Sequence, residues 1–149
     1  MKVLHLISGG DTGGAKTHVH TLLAGLGSRI QVKMVCFMEG PFAQEARDLG
    51  IDVQVLPGRN FLRNLDRLAA LVREEGYDII HSHGARGNMM AAFLSRRTGL
   101  PTVSTVHSDY RLDYLGRPAS RLTYGTINTI ALRLFDYHIG VSDAMAQLL

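Results

Sequence analysis

The stretch "SGGDTGGAKTHVH", Ser8–His20, follows directly on "MKVLHLI", Met1–Ile7. The first segment is apolar apart from Lys2 and His5, as expected of a strand covered on both faces. Beyond the glycines, Ala15, Val19, Leu22, Leu23 and Leu26 recur at the spacing of one helix face. The unit is therefore strand, glycine-rich turn, helix. Its helix N-terminus carries about half a positive charge and reinforces it with Lys16, so the turn suits a phosphate.

Neither familiar phosphate-binding pattern fits completely. From Gly10 the chain reads G-D-T-G-G-A-K-T, one residue short of GxxxxGK[ST], with Ala15 where the last glycine belongs. A P-loop also needs an Asp at the end of a later strand to hold Mg²⁺. Here Asp78 precedes its strand, and "VHSD" and "GVSD" place their acids in the turns. The glycines at 9, 10, 13 and 14 match GxGxxG in no register, and no acid ends the second strand. Two readings stay open. Gly13 and Gly14 admit a pyrophosphate or sugar phosphate to the helix end without a metal, or they serve only close strand–helix packing.

Outward from this unit, strands are expected at Lys2–Ile7, Gln31–Met38, Asp52–Leu56, Asp78–His81, Thr102–His107 and Tyr137–Val141. Helical stripes run through Phe61, Leu62, Leu65, Leu68, Ala69 and Val72, and through Met89, Met90, Phe93 and Leu94. "GLGS", "DLGID", "EEGYD" and "TGLP" supply turns before successive strands. Such alternation specifies an α/β domain over residues 1–149: a doubly wound, Rossmann-like parallel sheet with helices on both faces. Residues 109–120, "DYRLDYLGRPAS", are the least regular, and read as a surface loop or a substrate cover.

Composition narrows the function classes. The net charge of +3 is spread without a basic arm or an aromatic platform, so nothing supports nucleic-acid binding. An anionic small molecule or membrane surface suits the balance. Cys36, the lone cysteine, sits in an apolar run, which excludes an internal disulfide and fits a reducing compartment. No signal-like or membrane-spanning run occurs, so the chain reads as cytoplasmic. Arg59, Arg63 and Arg67 recur every four residues. They form a solvated helix face, or one that docks peripherally on the inner face of an anionic membrane.

The later strands end in "YDIIHSHG", "PTVSTVHS" and "FDYHIGVSDAM". His81 and His83 share a strand face, but a metal would need a third ligand, for which only His107 and Asp109 come forward. No metal site is expected. His18 and His20 diverge on their helix and cannot chelate together.

Together with "GGDTGGAKTHV", these motifs in this order resemble the N-terminal domain of a retaining glycosyltransferase of family 4, with the GT-B fold. The resemblance spans nearly the whole chain. It implies a cleft between two Rossmann-like domains, with the acceptor held mainly by the N-terminal one. A sugar then passes from a nucleotide-diphosphate sugar to a hydroxyl of a glycan, lipid-linked or small-molecule acceptor, with retention and without a cofactor. By motif, Gly13 and Gly14 would meet the diphosphate or the transferred sugar, and His107 would contact that sugar at the reaction centre, with Ser108 beside it. His83 and Gly84 would line the acceptor side, and Ser142 would cap the last helix and face the cleft as a further substrate-binding residue. The family's donor half has no counterpart before the final "MAQLL". The expectation is a fragment, or one subunit of a two-chain enzyme, inactive alone. The competing reading is a stand-alone nucleotide- or phosphate-binding module or partner subunit.

Overall fold

In the computed structural model, residues 1–10, 13–26, 29–58, 60–106 and 137–140 are described. Strand β1 (Lys2–Ile7) leads into helix α1 (Gly13–Leu26), followed by β2 (Gln31–Cys36), α2 (Pro41–Asp48) and β3 (Val53–Val55). Then come α3 (Phe61–Glu75), β4 (Ile79–His83), α4 (Gly84–Thr98), β5 (Thr102–Val106) and β6 (Tyr137–Gly140). The six strands form one sheet in the order β3-β2-β1-β4-β5-β6, and every neighbouring pair is parallel. Strand order reverses between β1 and β4, the point where doubly wound sheets open a crevice for ligands.

Period-two alternation divides the side chains of β1 between two cores. Leu4 and Leu6 join Leu65, Leu68, Ala69 and Val72 of α3 and Met90 and Leu94 of α4. On the other face, Ile7 joins Val19 and Leu23 of α1, Met34 and Cys36 of β2, and Phe42, Ala43 and Ala46 of α2. Both faces of the strand are thus buried, which its near-continuous apolar sequence anticipates.

Local signals fix the helix ends. The Asn60 side chain accepts from the Arg63 N–H at 2.9 Å and caps α3, an interaction worth about 1 kcal/mol. At its other end Gly76 takes a left-handed φ of 73°, and its N–H donates to the Val72 carbonyl. Pro41 starts α2 at a position where a missing N–H costs nothing.

Three details depart from the sequence reading. Strand β4 continues two residues beyond His81, through His83. Helix α4 starts at Gly84, five residues before its apolar stripe, and the intervening turn buries Gly87 and Asn88 instead of large hydrophobics. Helix α2 has only three buried residues in eight, too few to trace a stripe. Cys36 is fully buried, as expected. The irregular stretch 109–120 lies outside the described residues.

Candidate functional site

Strands β1 and β4 lie side by side, and each delivers a helix N-terminus to the same sheet edge. After Ile7 the chain turns through Ser8–Gly10, where the Gly10 N–H donates to the Ser8 hydroxyl at 3.3 Å. The Ser8 carbonyl accepts from the Phe37 N–H at 3.1 Å, tying this turn to the one after β2. Gly9 has φ of 94°, and a Cβ on it would lie 2.8 Å from the Met38 carbonyl oxygen. Close approach therefore rests on Gly9. Gly13 and Gly14 form the first turn of α1, which begins two residues before Ala15, with Lys16 following.

At β4 there is no loop at all. His83 is the last strand residue and also precedes the first turn of α4, with extended φ and ψ of −134° and 121°. Gly84 enters the helix at φ of 78° and is exposed. Neither α1 nor α4 has an acidic residue in its first turn, and no side chain caps α4. The exposed Arg86 adds a cation there, 5.5 Å from the centre of the Phe37 ring. Strands β1 and β4, which lead into these two helices, stand one strand spacing apart, about 5 Å.

Behind this edge, on the α1 side of the sheet, lie three imidazoles. His5 pairs in register with His81, and His83 shares their face. All three are buried: 0% exposed for His5, 8% for His81 and 1% for His83. The rings form a stack, with His81 and His83 centroids 4.5 Å apart and 6° from parallel. His5 Nδ1 lies 3.0 Å from His83 Nε2, so one of those nitrogens carries the proton and the other accepts it. His81 Nε2 lies 2.6 Å from the Thr105 hydroxyl on β5. His5 Nε2 is buried with no hydrogen-bond partner. Burial, followed by the neighbouring His81, holds the pKa of His5 well below its usual value.

The opposite face of the same strands is polar too. Asn88 Oδ1 accepts from the Ser82 hydroxyl at 2.5 Å and from the Ser104 hydroxyl at 2.9 Å, locking α4 to β4 and β5. A cavity of about 640 Å³ opens at the amino end of the sheet, beside Lys33, Glu75 and Tyr77. It is the wrong edge for a doubly wound site, and Lys33 and Glu75 pair with each other across 3.3 Å.

The expected site residues divide accordingly. Gly13, Gly14, Lys16, His83 and Gly84 come to one edge of two adjacent strands. Gly84 is open to solvent, whereas the His83 ring turns inward to His5. His107, Ser108 and Ser142 lie outside the described residues; Val106, which precedes His107, ends β5 next to β4. The sequence reading missed His5. It sought a third imidazole near β5, whereas the histidine that completes the cluster stands in β1.

A doubly wound parallel sheet whose strand order reverses between β1 and β4 defines a Rossmann-like domain. The sequence profile of glycosyltransferase family 4 matches residues 12–149, and the chain belongs to that family. Solved structures carry the same fold. The Anabaena protein Alr3699/HepE in complex with UDP superposes with a TM-score of 0.80 at 20% identity, over 99% of this chain and 39% of that one. The lipopolysaccharide outer core galactosyltransferase WaaB gives 0.67 at 17% identity, covering 99% and 41%. Acinetobacter baumannii MurG gives 0.70 at 12%, covering 97% and 42%. The chain spans about two fifths of the length of these proteins and has the fold of one Rossmann-like half of a GT-B glycosyltransferase. No curated protein matches the sequence.

Proposed function

We propose that this domain is the N-terminal, acceptor-side half of a retaining glycosyltransferase that moves a sugar from a nucleotide-diphosphate sugar to an acceptor hydroxyl. The observation that carries the reading is the pair of acid-free helix N-termini, at Gly13 and Gly84, opening together at the β1/β4 edge. Charge develops on the diphosphate as it leaves, and preorganised amide dipoles and cations stabilise such charge without a catalytic metal. Gly13, Gly14 and Lys16 take the donor's diphosphate or sugar. Gly84 opens the acceptor side, with His83 fixing the strand end behind it. His107 orients the transferred sugar by a hydrogen bond, flanked by Ser108, and Ser142 serves as a further substrate-side residue. A donor-binding domain, on the same or a separate chain, supplies the facing wall. The reaction needs no cofactor beyond the nucleotide sugar.

The acceptor class consistent with the surface is a glycan or lipid-linked molecule of the cell envelope, met at the cytoplasmic face of an anionic membrane. Leu62 is 69% and Phe93 52% exposed, and Arg63 and Arg67 on α3 are exposed as well. No helix among the described residues is long and apolar enough to cross a membrane.

The deciding experiment is sugar transfer by the longest natural chain that carries this domain. Gly14→Val and His107→Ala should each abolish transfer while the circular dichroism of the protein is preserved. Full activity in both variants would remove these residues from the reaction.

A further inference from the structure

We propose that His5, His81 and His83 form a binding site for a divalent transition metal of the zinc class, taken up in exchange for the proton that His5 and His83 share. Of the three, only His83 also figures in the proposed acceptor side. It rests first on topology. Two histidines at i and i+2 of β4, plus their register neighbour on β1, must project from one face of the sheet. One ligand nitrogen from each lies within 4.8 Å of the others. Three neutral imidazoles are a recognised zinc donor set, and a set without carboxylates selects against magnesium and calcium.

Second, the distances are close to those a metal requires. Two nitrogens bound tetrahedrally to zinc at about 2.05 Å stand about 3.3 Å apart. His5 Nδ1 and His83 Nε2 are already 3.0 Å apart, so they need to separate by only a few tenths of an ångström. His81 Nε2 lies 2.6 Å from the Thr105 hydroxyl, the partner that sets the ring's tautomer.

The stacked rings do not yet converge, because lone pairs lie in their ring planes and those of His81 and His83 are nearly parallel. Metal entry therefore turns one ring about χ2, a soft torsion. Once loaded, the ion joins the strands from which α1 and α4 begin.

The test uses the full chain stripped of metal with a chelator. Titration with cobalt(II) should give one equivalent with the intense visible bands of tetrahedral nitrogen ligation, and zinc should displace it. His5→Gln and His83→Gln should each weaken binding at least tenfold, while His20→Gln, outside the cluster, leaves it unchanged. Should either cluster variant fail to fold, imidazole NMR of the unmodified chain decides. Zinc must shift the ring nitrogens of His5, His81 and His83 and leave those of His20 in place. Binding unchanged in both cluster variants, loss of binding in His20→Gln, or no binding by the folded chain overturns the proposal.

Discussion

Gly87, in the second turn of α4, lies so close to β1 that a Cβ on it would stand 2.6 Å from the Leu6 carbonyl oxygen. That oxygen belongs to a central strand and has nowhere to retreat. Gly87→Ala should therefore push α4 away from the sheet and cost about 1–3 kcal/mol, the usual range for overpacking. Chemical denaturation measures it. An unchanged midpoint would show that α4 packs more loosely than this contact implies.

Burial of His5 as a neutral ring makes stability depend on pH in a definite direction. Its pKa is lowered on folding, so the unfolded chain binds the extra proton first. The contribution is complete above the ordinary value of 6.5 and is lost as pH falls below it, toward the depressed folded pKa. One proton gives a slope of about 1.4 kcal/mol per pH unit. Urea denaturation in excess chelator, from pH 7.5 to 5, should show this loss, and His5→Gln should flatten it. A chain equally stable at both ends of that range would contradict the assignment.

The nucleotide affinity of this chain alone should be poor. A helix N-terminus contributes about 0.3–1 kcal/mol when exposed and about 2 when partly buried, whereas a millimolar Kd requires about 4. Calorimetry with UDP or GDP should therefore give a Kd weaker than millimolar, and no sugar turnover. Micromolar binding would favour a self-sufficient nucleotide module.

Membrane docking through α3 makes a separate prediction. Vesicles rich in anionic lipid should retain the protein at low salt, with each basic residue near the surface worth about 1 kcal/mol. Arg63→Glu and added salt should both release it. Equal retention on neutral vesicles would assign the Arg63–Arg67 face to ordinary solvation.

Much of this architecture could be read from the chain because its determinants are local. The apolar run of β1, the turn glycines at 76 and 99, and the α3 stripe each act within a few residues. The histidine cluster was only half legible. Period-two alternation placed His81 and His83 on one face, but His5 enters through pairing across 76 positions of sequence. The signal was available once the doubly wound order was accepted, since that order sets β1 beside β4. The Gly87–Leu6 contact had no such signal, because a glycine's close neighbour is known only after packing. The Gly13–Gly14 pair was read as the turn itself, yet Gly9 makes the close approach and the pair starts the helix. Glycine clusters do not say which member carries the constraint.

Helix α4 follows β4 without a single intervening residue, and Asn88 fastens its second turn to Ser82 and Ser104. That wall of the cleft has no slack of its own and works as an anvil. On the proposed reading, accommodation of partners of different size falls instead to the segments that follow β2 and β3. Variation in those segments leaves the α4 end and its dipole undisturbed.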